Sequence, residues 1–211
     1  TPAILNSGRQ GKDFYQRMWA ELNLCGHWHG EIWNRRKDGA IYPEWLSIAA
    51  VYGKDGGVIN YIGVFTDISE QKENEARIHH LAHHDVLTGL PNRLLLEDRV
   101  SQGILKSKRS NKPMALIFVD LDRFKNINDT LGHEVGDNLL VQAAQRGLSV
   151  LRDTDTLSRQ GGDEFVVVLP ELDHRQDAMH VTRKLLAALG NPYLLAGHEL
   201  IVSASAGIAL Y

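Results

Sequence analysis

The sequence predicts an α+β fold in two modules, an antiparallel sheet followed by an α/β unit, and three observations support this prediction. All four tryptophans lie within the first 45 residues. One helical pattern and three alternating apolar segments, separated by glycine turns, fill residues 12–66. Further along, helical patterns alternate with short apolar runs typical of buried strands. We therefore expect an antiparallel module at residues 1–69, a linker helix at 70–84 and an α/β module at 85–211.

The first module is expected to begin with a helix and continue as a β-meander. Residues 12–24 carry apolar side chains at helical spacing. Hairpin turns are expected at Lys37-Asp38-Gly39 and Lys54-Asp55-Gly56-Gly57, because such polar and glycine runs favour tight turns between strands. The expected strands are 30–34, 42–52 and 58–66. Asp67 or Ser69 can cap the linker helix that follows.

The second module is expected to follow the order α-β-α-α-β-β-α-β. Its helices are expected at residues 92–106, 123–129, 136–150 and 178–189, and its strands at 114–119, 156–159, 165–169 and 199–211, the last as a long strand or a hairpin.

Composition excludes several classes of protein. The net charge of −3 provides no basic field for nucleic acid, so no nucleic-acid partner is expected. A single cysteine, Cys25, rules out an internal disulfide framework and favours a reducing cytoplasm. No apolar run approaches the roughly 20 residues of a membrane helix. A membrane anchor upstream of residue 1 stays open, which would make this the cytoplasmic part of an anchored protein.

The segment Gly161-Gly162-Asp163-Glu164 joins two expected strands. Its glycines allow a tight turn with N–H groups free to face a ligand. Its two carboxylates are costly to crowd together unless a cation lies between them. The segment therefore predicts a metal-bound phosphate site at the tip of a hairpin.

Asp120 and Asp122 follow the expected buried strand at 114–119. A carboxylate at a strand end can bind Mg²⁺, and the helix opened by Phe124 and Lys125 can direct its amides at phosphate. Pairing of adjacent antiparallel strands would set Asp120 beside Asp163. The alternative is that both aspartates only cap a helix, which is the better interpretation for an isolated Asp-x-Asp.

Most of residues 83–211 resembles the GGDEF family, the diguanylate cyclases, and five ordered motifs carry this resemblance. They are Asp85-Val86-Leu87-Thr88-Gly89-Leu90-Pro91-Asn92-Arg93, Asp120–Lys125 with Asn128-Asp129, Gly132-His133-x-x-Gly136-Asp137, Gly161–Phe165 and Ser205-Ala206-Gly207-Ile208-Ala209. The resemblance implies a palm-like nucleotidyl cyclase sheet with flanking helices. It also implies condensation of two GTP molecules into cyclic di-GMP with release of two pyrophosphates, in a homodimer with one GTP in each module.

The resemblance also implies roles for individual residues. Asp120 and Asp163 match the ligands of Mg²⁺ (or Mn²⁺), with the Leu121 carbonyl as a third contact. Asp163 or Glu164 could accept the proton of the attacking hydroxyl. The positions that match substrate contacts are Asn128 and Asp137 for guanine, His133 for a further contact, and the amides of Arg123, Phe124, Lys125, Gly161 and Gly162 for phosphates.

Arg152-Asp153-Thr154-Asp155 resembles the family's inhibitory product site, an Arg-x-x-Asp five residues before the glycine turn. Arginine can donate two hydrogen bonds to a guanine edge or a phosphate, and aspartate can accept from guanine N–H groups. The alternative is a solvated charge pair in a loop.

Residues 26–72 resemble the C-terminal half of a PAS sensor domain, whose ligand cannot be inferred because the earlier strands would supply much of the pocket. The family continues past Ser205–Ala209 into helices with basic triphosphate contacts, whereas this chain stops at Tyr211, so we expect the cyclase module to be truncated. The run Leu90–Leu96 is similar to modules that precede an EAL phosphodiesterase domain.

Two other functions compete with the cyclase. One is a catalytically silent module that binds GTP or cyclic di-GMP and regulates a neighbour. The other is a related nucleotidyl cyclase with another base preference, which Asn128 and Asp137 argue against.

Overall fold

The computed structural model describes residues 5–211 and divides into two compact units, one ending at Ile78 and the other beginning at His79. Each unit has its own apolar core. None of the helices within the described residues combines the length and apolar character needed to cross a membrane.

The first unit is an antiparallel meander with one helix packed against it. Helix α1 (Lys12–Cys25) ends at Gly26, whose positive φ of 76° lets its N–H reach the Leu22 carbonyl. The sheet order is β1-β2-β3. Its strands are β1 (His27–Arg35), β2 (Ile41–Tyr52) and β3 (Val58–Asp67). The core contains Met18, Leu22, Trp28 and Ile32. The predicted meander is confirmed, with strands one to three residues longer at their ends than the alternation indicated.

Helix α2 (Ser69–His83) follows β3 directly. Ile68 is the N-cap position, and the Asp67 carboxylate accepts the Ser69 N–H at 2.9 Å, which satisfies one of the free N–H groups at the start of the helix. No residue of α2 is buried, which agrees with the polar pattern that predicted it.

The second unit is a four-stranded antiparallel sheet with helices on both faces and the strand order β5-β6-β4-β9. Its helices are α3 (Arg93–Ser110), α4 (Phe124–Leu131), α5 (His133–Val150) and α6 (Gln176–Leu189). The strands of the sheet are β4 (Ala115–Leu121), β5 (Thr156–Gly161), β6 (Glu164–Leu169) and β9 (Ala204–Leu210). A separate hairpin consists of β7 (Tyr193–Leu195) and β8 (His198–Leu200). Leucines and valines of β4 and β6 alternate between a larger core that includes α5 and α6 and a smaller core beneath α3.

The C-terminal stretch differs from the single long strand or hairpin expected over residues 199–211. Ala196 and Gly197 both have positive φ and form a two-residue turn, so residues 198–200 pair with β7 and not with the main sheet. Strand β9 then pairs with β4. This arrangement makes β4 a central strand whose end lies between β6 and β9.

Candidate active site

A cluster of carboxylates lies at the end of β4. Asp120 pairs in register with Glu164 of β6 and with Ser205 of β9, and Asp163 immediately precedes β6. Partial burial raises the pKa of Asp120, and the negative charges of Asp163, Glu164 and Asp122 raise it further. The sequence led us to expect Asp163 beside Asp120, and the register places Glu164 directly opposite. Crowded carboxylates of this kind favour a bound cation.

The turn between β5 and β6 has a backbone that favours glycine. Gly161 has φ 137° and Gly162 has φ 52°, values that L side chains rarely adopt. The Gly162 carbonyl accepts hydrogen bonds from Nε and Nη2 of Arg159, at 3.0 and 2.8 Å. Arg159 lies on β5, so a side chain of the strand that leads into the turn also fixes the turn that carries Asp163.

Arg159 also connects the turn to the start of the unit. Its Nη1 donates to both carboxylate oxygens of Asp85 at 2.9 Å, and the two side chains are only 10% and 20% exposed. Asp85 further accepts from the N–H and hydroxyl of Thr88. Asp85 belongs to one of the sequence motifs and Arg159 lies two residues before the glycine turn, but the sequence assigned neither a role, because a contact across 74 residues leaves no local pattern.

The pKa of Asp85 reflects this network. Burial acts to raise it, but the hydrogen bonds from Thr88 and Arg159 and the charge of Arg159 together leave the pKa below its ordinary value. A carboxyl with a lowered folded-state pKa stabilises the fold above its unfolded-state pKa of about 3.9, and this contribution disappears as pH falls through the folded-state value.

Asp85→Asn is expected to lower the free energy of unfolding by about 2 kcal/mol near pH 7, because the largely buried Arg159 guanidinium loses a charged acceptor. The difference from wild type should shrink as the pH approaches 3. Urea unfolding followed by circular dichroism at both pH values measures this difference. Asp98→Asn, which alters an exposed carboxylate on α3, is the control. Equal stability of Asp85→Asn and wild type at pH 7 would contradict the role of this ion pair.

A second group of expected site residues lies where α4 packs on α5. The Asn128 Oδ1 atom is buried and has no hydrogen-bond partner among the described residues. A Cβ added at Gly136 would lie 1.8 Å from this oxygen and 3.3 Å from the buried ring of Phe124. His133 and Asp137 are exposed and stand one turn apart on α5. The structure therefore brings Asn128 beside the segment that carries His133 and Asp137, and leaves a buried acceptor there.

The start of α4 lies beside the carboxylate cluster. Arg123 has a left-handed φ of 60°, Phe124 begins the helix and is buried, and Lys125 is exposed. A cavity of about 890 Å³ is lined by residues of β4, α4 and the segment before β9, including Asp120, Arg123 and Ser203. The cavity is large enough for a small-molecule ligand beside the carboxylates.

The Arg-x-x-Asp segment forms a closed turn before β5. The Asp155 carboxylate accepts the Arg152 N–H at 3.0 Å, and the Asp155 N–H donates to the Arg152 carbonyl at 2.9 Å. The Arg152 side chain is exposed. Asp155 lines a cavity of about 450 Å³ together with Arg99 and Lys106 of α3. Cationic side chains of α3 therefore line one side of this cavity, and the carboxylates of Asp153 and Asp155 line the other.

The carboxylate cluster fits Mg²⁺ by the chemistry of its donors. Within residues 5–211, no group of three or more His, Cys, Asp or Glu side chains stands in a metal-holding arrangement. Mg²⁺ in nucleotide-dependent sites is usually held by one or two carboxylates, with substrate phosphates and water completing its shell. Asp120 and Asp163, with the Leu121 carbonyl between β4 and α4, match that smaller donor set.

Comparison with known proteins identifies the class. A family model described as "Diguanylate cyclase, GGDEF domain" matches residues 82–211, and a PAS domain model matches residues 3–70. The first match covers more than half of the chain, so the chain belongs to the GGDEF family. The resemblances to the GGDEF family and to a PAS domain that were inferred from the sequence are confirmed.

Two relatives and one solved structure show how far the similarity extends. The bifunctional diguanylate cyclase/cyclic di-GMP phosphodiesterase MucR of Pseudomonas aeruginosa is 47% identical over 131 residues, 62% of this chain and 19% of MucR. The diguanylate cyclase TpbB of the same organism is 43% identical over 142 residues, 67% of this chain and 32% of TpbB. A structure comprising only the TpbB GGDEF domain has a TM-score of 0.60 and 42% identity, and the match covers 61% of this chain and 76% of that one.

Proposed function

We propose that this chain is part of a diguanylate cyclase, which condenses two GTP molecules into cyclic di-GMP and releases two pyrophosphates. The observation that carries the proposal is the cluster of Asp120, Asp163 and Glu164 beside the glycine turn, in a chain of the GGDEF family. The chain spans less than a third of TpbB and about a fifth of MucR, so the activity of the whole protein is part of this proposal.

The proposed roles are those that the family resemblance implies for these positions. Asp120 and Asp163 hold Mg²⁺ (or Mn²⁺) with the Leu121 carbonyl. When bound, the cation would neutralise the triphosphate and lower the pKa of a ribose 3′-hydroxyl. The amides of Arg123, Phe124 and Lys125 and those of Gly161 and Gly162 hold phosphates. Asp163 or Glu164 accepts the proton of the hydroxyl that attacks the α-phosphorus of the second GTP.

The guanine base is read between α4 and α5. The side-chain amide of Asn128 can hydrogen-bond to a guanine edge, and the Asp137 carboxylate can accept from the N1–H and N2–H pair. His133, one turn before Asp137, makes a further substrate contact. One copy of the chain holds one GTP in this scheme, so two copies must face each other, and a homodimer is part of the proposal.

Regulation and architecture complete the proposal. Residues 1–69 are proposed as a PAS sensor segment of unknown ligand, 70–84 as the linker and 85–211 as the cyclase module, in a cytoplasmic setting where GTP is available. An EAL domain downstream is a proposed partner, by analogy with the bifunctional relative MucR.

Product analysis by mass spectrometry tests the activity. The protein is incubated with GTP and Mg²⁺ over a range of protein concentrations. Cyclic di-GMP formed at a rate that rises more steeply than protein concentration supports a dimeric cyclase. Binding of GTP or cyclic di-GMP without any product would instead favour a silent regulatory module.

Arg152→Ala is expected to relieve product inhibition by cyclic di-GMP, because it removes the exposed guanidinium of the proposed product site. The concentration of cyclic di-GMP that halves the initial rate should rise about tenfold, as for the loss of one charge-assisted hydrogen bond to the ligand. Arg175→Ala, an exposed arginine before α6, is the control. Unchanged inhibition in Arg152→Ala would remove the product-site assignment.

A further inference from the structure

We infer that Asp122 is a positioning residue, which fixes the connection between the proposed metal ligands and the proposed phosphate-binding amides by clamping it to β9. The inference rests on the proposed function of this site. Sequence reasoning left Asp122 as the second member of an Asp-x-Asp pair, either a helix cap or a companion to the metal ligand.

The first observation is where the Asp122 carboxylate points. Its Oδ2 accepts from the Ser203 hydroxyl at 2.5 Å, and its Oδ1 accepts from the Ser205 hydroxyl at 2.7 Å. The Asp122 N–H donates to the Ser203 carbonyl at 2.9 Å. Both carboxylate oxygens and the backbone N–H of Asp122 are therefore bound to Ser205 of β9 and to Ser203, which directly precedes that strand. A charged acceptor with two hydroxyl donors makes stronger hydrogen bonds than a neutral one.

The second observation is the shape of the connection that this clamp holds. Only Asp122 and Arg123 separate the end of β4 at Leu121 from the start of α4 at Phe124. Arg123 adopts a left-handed φ of 60°, which a non-glycine residue keeps only when its surroundings enforce it. Leu121 and Phe124 are anchored by burial at either end. The middle of the connection lies at the surface, and the bonds of Asp122 restrain it there.

The third observation is the relation to the proposed ligands. Asp120 pairs in register with Ser205, so the same serine that binds Asp122 lies opposite the proposed metal ligand. The clamp thus binds the connection between Asp120–Leu121 and the proposed phosphate-binding amides to the strand that lies opposite Asp120. Catalysis that depends on placing two nucleotides is sensitive to small displacements of such groups.

Two variants remove the clamp in different ways. Asp122→Asn keeps the size of the side chain but removes its charge, and its amide nitrogen cannot accept from a hydroxyl. The double variant Ser203→Ala/Ser205→Ala removes the two donors and keeps the Asp122 carboxylate. Asp98→Asn on α3 is the control, because it removes an equal charge from an exposed position of the same unit.

We expect both variants to melt within a few degrees of wild type and to lose about 10- to 100-fold in kcat. Amide hydrogen exchange at residues 121–126 should be faster in both and unchanged in Asp98→Asn. The triple variant Asp122→Asn/Ser203→Ala/Ser205→Ala should lose no more kcat than either of these variants, because all three side chains act through one set of hydrogen bonds. The exchange experiment needs no turnover, so it tests the clamp even if the proposed activity fails.

Three results would overturn the inference. Loss of kcat and of Mg²⁺-dependent binding of a non-hydrolysable GTP analogue in Asp122→Asn, with a normal serine double variant, would make Asp122 a direct ligand. A lower melting temperature with unchanged kcat in both variants would show that Asp122 has only a structural role. Unchanged exchange at residues 121–126 would show that the connection is held without it.

Discussion

Asp163→Asn is expected to reduce cyclic di-GMP formation at least about 100-fold while leaving the fold intact. Asparagine has the same shape as aspartate but carries no charge, so the proposed cation loses one of its two carboxylates. The change also reduces the negative charge crowded around Asp120, so we expect no loss of stability. Initial rates measured by product analysis, together with circular dichroism, test both parts.

The matched control for Asp163→Asn is Asp173→Asn. Asp173 is an exposed aspartate whose carboxylate pairs with Lys112 at 2.8 Å, well separated in the sequence from the strand end that carries Asp120. We expect its loss to leave turnover near the wild-type rate. A full-rate Asp163→Asn enzyme would rule out the assignment of Asp163, and with it the proposed cation site. Excess Mg²⁺ that restores part of the lost rate would identify weakened metal binding as the cause.

Gly136→Ala is expected to have the second-largest effect, a loss of GTP affinity of about 10- to 100-fold, as when a substrate group loses its partners in a built site. The new Cβ would lie 1.8 Å from the Asn128 Oδ1, so the amide must move out of the position proposed for guanine reading. The same Cβ would also lie 3.3 Å from the buried Phe124 ring, so the new methyl group has little room to move away from the amide. Titration with a fluorescent, non-hydrolysable GTP analogue measures the loss.

Stability provides a second measurement for the same variant. Alanine is favoured over glycine within a helix by about 1 kcal/mol, which partly offsets the displacement of Asn128. Gly103→Ala is the control, since it adds the same methyl group to helix α3, where its Cβ would meet the flexible end of Met114 at 3.1 Å. A Gly136→Ala protein that binds the analogue as tightly as wild type would show that Asn128 does not read the base in its present position.

The predictions from sequence succeeded where local patterns determine the structure. Helical spacing identified α1, α3 and α5 to within a few residues, and glycine turns located the meander of the first unit. The glycines at 161 and 162 were expected to turn, and both have backbone angles that require it. Leu94 is an exception, because helical spacing over residues 92–106 predicts that it faces inward, yet it is 55% exposed and Leu96 is buried instead. Its neighbours Leu95 and Leu96 satisfy the same spacing, so the pattern alone could not choose among them.

The sequence by itself determined the two modules, the family, the order of the strands and helices, and the residue types able to bind a cation and a nucleotide. Only the tertiary structure decided which of these groups meet. Asp120 lies opposite Glu164, Asp122 turns to β9, and Arg159 connects the glycine turn to Asp85. The reason is physical, because element type follows from contacts within a few residues, whereas strand register and buried ion pairs depend on packing between segments far apart in the chain.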